Sequence, residues 1–237
     1  MKRSGARLAD PGAELIDQLG EWWQQYGRIA SSVVGAVAAA ALLGFLYFRA
    51  QAATENTASG RLAEAEIMFW QGYYPRSYET AQQVIKQYPG TRSATEAHRV
   101  AGDDAFWRGE EGDFQKAVDE YRTYLAKRPR GMVSDGVRRS LAYALESNAT
   151  ALALSGRGAE SAKQMQEAAA GYESLVGRFP DRESSAEFLI SSARCYRALN
   201  QPAEAIKRLQ RVVDEFGDTA GANRARVMMA EVKAGSR

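Results

Sequence analysis

Twenty consecutive residues without a charge, IASSVVGAVAAAALLGFLYF at positions 29–48, lie between Arg28 and Arg49. At about 1.5 Å per residue, a helix of that length covers about 30 Å, the thickness of a bilayer's hydrocarbon core. Buried helices of soluble proteins are usually shorter and interrupted by polar positions. The apolar core of a cleaved signal peptide is shorter too, about 7–15 residues, whereas this run follows 28 residues of sequence. The segment predicts one uncleaved transmembrane helix. Its short flank carries Lys2, Arg3, Arg7 and Arg28, so the positive-inside rule puts residues 1–28 in the cytoplasm and residues 49–237 outside it.

The residues around the span have two patterns of their own. Asp10-Pro11 reads as a helix N-cap followed by proline at the first helical position, and Leu15, Leu19, Trp22 and Tyr26 then recur at spacings of 4, 3 and 4. This predicts an amphipathic helix on the cytoplasmic surface, with Trp22, Trp23 and Tyr26 at the lipid interface, where amphipathic rings are favoured. Within the span, Ser32, Ala36, Ala40 and Gly44 recur every four residues. Such a stripe of small side chains lets a second helix approach closely in lipid, and it is the candidate helix-docking face.

Beyond Arg49 the sequence is rich in Ala, Glu, Gln, Arg and Leu, lacks strand-like alternation, and is punctuated at long intervals by similar stops. These are Gln87-Tyr88-Pro89-Gly90, Lys127-Arg128-Pro129-Arg130, Arg178-Phe179-Pro180-Asp181 and Glu215-Phe216-Gly217-Asp218, at intervals of 40, 51 and 37 residues. Twelve residues before each stop stands a small residue (Ser77, Ala117, Ala168, Ala205), and eight before it an apolar or aromatic one (Ala81, Tyr121, Tyr172, Leu209). Four before it come Ile85, Leu125, Val176 and Val213. Recurrence at this period marks a helical repeat array. The pattern resembles the second helix of a tetratricopeptide (TPR) repeat.

First helices are expected at residues 61–70, 95–107, 133–154 and 184–199, with a terminal capping helix at 219–233. The prediction is an all-α chain: one N-terminal span followed by a TPR-like α-solenoid of four helix pairs and a cap. In the third pair the turn is expected at residues 155–158, and the 14 residues by which its interval exceeds the last are placed as about two extra turns on each helix.

Composition excludes most chemistry. With 31 Lys and Arg against 29 Asp and Glu, the chain is not a strongly charged nucleic-acid binder. One His and one Cys leave no material for a zinc cluster, a His-based cluster or a disulfide within the chain. His98 reads as a packing or surface residue, Cys195 as buried and inert, and the acid pairs Asp103-Asp104 and Glu110-Glu111 as solvated surface. No phosphate-cradling or hydrolase motif is present. No catalytic residue, cofactor, metal or small-molecule substrate is therefore expected. Lys127, Arg128, Arg130, Arg138 and Arg139 bracket the turn between the second and third pairs and form a candidate patch for an acidic partner or anionic headgroups.

The cytoplasmic helix with Trp22-Trp23 and Tyr26-Gly27, the single span, and an outer array whose helices end in Tyr-Pro or Phe-Pro together resemble the YfgM-type family. Those are single-span inner-membrane TPR-like proteins associated with the secretory translocon and periplasmic chaperones. The resemblance implies a bacterial inner-membrane protein with a periplasmic array, a non-enzymatic scaffold serving as accessory subunit of an integral membrane complex. A respiratory or photosynthetic complex would look the same at the level of sequence. The alternative is a periplasmic peptide- or chaperone-binding module for which the span is only a tether.

Overall fold

The computed structural model describes residues 11–110, 112–127 and 131–235, and among them all regular structure is helical. The chain divides into two compact units, Met1–Ala53 and Thr54–Arg237.

The first unit is the amino-terminal part of α1 (Pro11–Trp70). Pro11 opens the helix, as its fixed φ and missing N–H allow, and the proposed cap, Asp10, lies outside the described residues. Ile29, Val34, Val37, Leu43 and Phe48 are each more than 60 % exposed, so none of the described residues of this chain covers the apolar run. Among the described residues this is the one helix long and apolar enough to cross a membrane, which makes it a candidate span by length and composition. The two serines of the run bond within the helix. Ser31 Oγ donates to the Gly27 carbonyl at 2.7 Å and Ser32 Oγ to that of Arg28 at 2.8 Å, which removes the cost of placing a free hydroxyl in hydrocarbon.

Among the described residues, the second unit is a TPR-like array of four helix pairs and a cap. Residues of α1 from 54 onward pair with α2 (Tyr74–Gln87), α3 (Arg92–Arg108) with α4 (Asp113–Ala126), α5 (Met132–Leu154) with α6 (Gly158–Leu175), and α7 (Arg182–Ala198) with α8 (Pro202–Glu215); α9 (Ala220–Gly235) closes the end. The small residues of the second helices, Ser77, Ala117, Ala168 and Ala205, are all fully buried, as are Ala81, Tyr121, Tyr172 and Leu209 one turn further on. In the next turn the deepest residues are Val84, Tyr124, Leu175 and Val212, whereas Ile85, Leu125, Val176 and Val213 are half-buried. The third contact thus sits five residues before the stop rather than four. Spacings of three and four both return to the same helix face, and the sequence pattern alone does not choose between them.

Three of the turns inside pairs are one device. Tyr73 N–H reaches the Met68 carbonyl and Gly72 N–H that of Phe69; Arg157 and Gly156 repeat this with Leu152 and Ala153, and Gln201 and Asn200 with Tyr196 and Arg197, all at 2.9–3.1 Å. This is the Schellman arrangement, which needs a left-handed residue; Gly72, Gly156 and Asn200 supply it at φ +80°, +77° and +56°. In the third pair the turn falls where the sequence placed it. The extra length is distributed unevenly: α5 has 23 residues against 17 in α7, and α6 has 18 against 14 in α8. That is under two turns on one helix and about one on the other, the remainder lying in the connections.

Carboxylates tie the first pair to the second and the fourth pair to α9. Glu55 accepts from the backbone N–H of Arg92 and Ser93 at 2.8 and 2.9 Å, and Glu183 accepts from those of Ala220 and Gly221 at 3.0 and 2.9 Å. Each acid therefore caps the helix that begins about 37 residues later, satisfying donors that a helix start leaves orphaned. Buried tyrosines act similarly within the array. Tyr121 donates to Asp103 and Tyr172 to Glu146, both at 2.7 Å, while Arg99 and Arg194 hold the same two carboxylates from their other side.

At Gly102 the close approach of α3 and α4 leaves no room for a side chain: a Cβ would lie 2.6 Å from Tyr121 Cε1. The ring cannot retreat, because it is 1 % exposed and its hydroxyl is bonded to Asp103. Gly102→Ala is therefore expected to destabilise the array by about 1–3 kcal/mol through overpacking, despite alanine's better helix propensity. Urea unfolding measures this, and an unchanged or higher midpoint would contradict the packing described.

Candidate functional site: a groove between α1 and α3

The chain's chemistry concentrates on one side of the first two pairs. The segments Glu66-Ile67-Met68-Phe69-Trp70 and Asp103-Asp104-Ala105-Phe106-Trp107 share an acid-x-x-Phe-Trp pattern 37 residues apart, at the ends of α1 and α3. An acid and a tryptophan four residues apart lie on one helix face. Two such faces side by side line an open groove of about 510 Å³, bounded by Glu66, Phe69, Trp70, Arg99, Asp103 and Trp107. The indoles stand in water, Trp70 at 83 % and Trp107 at 62 % exposure.

The floor of the groove is ionic. Arg99 donates to Glu66 at 2.7 Å, to Asp103 at 3.2 Å and to Glu96 at 3.3 Å, so three carboxylates share one guanidinium. Burial works against the Arg99 charge, but Asp103 and the two glutamates outweigh it and hold the guanidinium above its ordinary value. Asp103 itself is raised by burial, with Tyr121 and Arg99 pulling the other way. A second recess, between α3 and α5, shares Asp103 and Trp107 with the first and adds Arg139 and Tyr143.

The residues singled out from sequence are distributed as follows. On α1, Ser32, Ala36 and Ala40 are exposed and Gly44 is half-buried. Trp22, Trp23 and Tyr26 are exposed, with the Trp22 ring centroid 6.4 Å from Trp23 and 6.1 Å from Tyr26. Of the basic patch, Arg128 and Arg130 lie outside the described residues and Lys127 is exposed. Arg138 donates to Ser134 at 3.0 Å and to Asp135 at 3.3 Å, and the Arg139 guanidinium sits 5.5 Å from the centre of the Phe179 ring. His98 Nδ1 lies 2.7 Å from Glu120 and ties α3 to α4. Cys195 is buried, and burial together with the Glu146 charge pushes its thiol up to about 12. Among the described residues, no three His, Cys, Asp or Glu side chains gather in a way that could hold a metal ion.

A further expectation is overturned at Asp104. Asp103 is partly exposed in the groove floor, whereas Asp104 is fully buried on the adjoining face of α3 with no hydrogen-bond partner for either oxygen. Neighbouring residues on a helix point about 100° apart. The buried stripe Ala97, Ala101, Asp104, Ala105 runs through the second acid and not the first. The groove itself escaped the sequence reading, which took Trp70 and Trp107 only as helix boundaries. Aligning the chain with itself at an interval of 37 would have found it.

A tetratricopeptide repeat model matches residues 189–219, which cover the second half of α7, all of α8 and the turn that follows. No curated protein matches the chain. The match identifies one TPR repeat at the fourth pair, and the helical-repeat packing of the other pairs is TPR-like; TPR repeats generally mediate protein–protein interactions. The matched pair has the shortest interval between stops, 37 residues; the longer second and third units depart from that spacing.

Proposed function

We propose that the chain is a non-enzymatic, single-pass scaffold of the bacterial inner membrane, with a cytoplasmic amino terminus and a periplasmic array, acting as an accessory subunit of an integral membrane complex. The observation that carries this reading is the joining, in one chain, of an uncovered apolar helix and a TPR-like array. Trp22, Trp23 and Tyr26 then anchor the first helix at the lipid surface. Ser32, Ala36, Ala40 and Gly44 form the face that docks on the complex, and the basic residues at 127–139 offer a further contact for periplasmic proteins. A translocon is the complex that the family resemblance favours. The second reading, a tethered periplasmic binding module, draws support from the groove, which lies wholly within the array.

Enlarging the docking face separates the two. Ala36→Leu with Ala40→Leu keeps the segment apolar enough to insert but blocks close helix approach. The double variant is expected to reach the membrane and to lose its larger assembly on native electrophoresis in mild detergent. Leu at Val37 and Ala41, about 100° round the helix, is expected to leave it intact. Retention of the assembly by both variants would leave the span as a tether.

A further inference from the structure

We propose that the groove between α1 and α3 receives an arginine side chain from an extended segment of a partner protein; this names the occupant of a site on the scaffold proposed above. Charge selects the class of occupant. Glu66 and Asp103 line the groove against one cation, Arg99, whose charge Glu96 offsets further, and the resulting excess of negative charge repels an acidic segment and attracts a basic one. Glu66 uses one oxygen for Arg99 and is still 41 % exposed.

The aromatic walls select arginine among the basic residues. Trp70 and Trp107 come from different helices, border the same groove and are largely exposed. Indole faces attract cations, and a guanidinium is planar, weakly hydrated and able to stack while its N–H groups reach a carboxylate; a lysine ammonium is a hydrated point charge. In the duplicated motif each acid stands one turn from its tryptophan; both Asp103 oxygens are taken by Tyr121 and Arg99, so Glu66 is the carboxylate left to meet the guanidinium. Arg139 borders the adjoining recess beyond Trp107, which confines the basic residue to the α1–α3 side.

The test is calorimetric titration of the full-length chain in lipid nanodiscs, with empty discs as control. The titrants are three capped heptapeptides, Ala-Leu-Ala-X-Ala-Leu-Ala, in which X is arginine, its neutral isostere citrulline, or glutamate. The arginine peptide is expected to bind at least tenfold more tightly than the other two. Glu66→Gln is expected to weaken the arginine peptide at least fivefold and leave the citrulline peptide unchanged, and Trp107→Leu to weaken the arginine peptide at least fivefold. Both side chains are substantially exposed, and unchanged helical circular dichroism on heating would show that neither variant acts by unfolding. Equal affinity for the three peptides, or no heat from the arginine peptide, would overturn the proposal. Absence of a larger assembly on native electrophoresis would count against the scaffold role and leave this titration untouched.

Discussion

Arg108→Ala is expected to destabilise the array by about 2 kcal/mol, the worth of its hold on a buried carboxylate that is then left to Lys116 alone. Asp113, the first residue of α4, is fully buried. Arg108 grips both of its oxygens, Nε at 2.6 Å, and Lys116 adds a contact at 2.9 Å. The same guanidinium lies 5.2 Å from the centre of the Tyr78 ring on α2, so one side chain joins the first pair to the second. The Arg108 hydrogen bonds, against the penalty of burial and with help from Lys116, hold the Asp113 carboxyl down at about 2. A depressed carboxylate contributes stability above its unfolded value of about 4, and that contribution is lost as pH falls from there through 2. Urea unfolding of the full chain should therefore show the largest difference between wild type and Arg108→Ala near neutrality, shrinking toward pH 2. A constant difference would mean that Arg108 acts by packing alone.

Asp104→Asn is expected to abolish a fall in stability between about pH 4 and 7. Burial of Asp104, with the nearby Asp103 charge adding to it, raises its carboxyl to about 7; Ser77 and Arg108 oppose the shift without prevailing. The Ser77 hydroxyl donates instead to the Ala65 carbonyl at 2.8 Å. The sign is opposite to that of Asp113. Across this window the folded chain holds a proton that the unfolded chain has released, so stability drops by about 1.4 kcal/mol per pH unit, to a total of about 4 kcal/mol, and is then constant. The asparagine variant leaves other titrating groups in place, so subtracting its stability curve from that of wild type isolates the effect. A difference independent of pH would show that Asp104 is charged throughout.

These two acids mark the limit of what the sequence discloses. Ser77, Ala117, Ala168 and Ala205 could be located because helix pairs touch through small residues at a fixed distance from a Pro or Gly stop. The turn at residues 155–158 could be located because glycines interrupt a helical composition. Asp104 could not be told from Asp103 without the phase of α3, since both are acids in a polar stretch. Asp113 follows a glycine at the start of α4, where an acid is ordinary as a surface residue favoured by the helix dipole; its burial depends on Arg108 folding back over it. Glu55 and Glu183 were silent for a different reason. Each acts on backbone N–H groups about 37 residues away, and backbone groups carry no sequence signal. The groove needed both acid-x-x-Phe-Trp copies to be compared with each other, since either one alone reads as the end of a helix.

The carboxylate caps from Glu55 and Glu183 also bear on how the array comes apart. Stacked repeats ordinarily peel from their ends, where a terminal unit has a neighbour on one side only. Here α9 is fastened by Glu183, which takes two backbone N–H groups of its first turn and is joined to Arg224 at 3.0 Å. At the other end Glu55 clasps the start of α3 in the same way and takes the Ser93 hydroxyl as well, at 2.6 Å. Separating α9 from α7 therefore requires breaking this clasp as well as the apolar contacts between them.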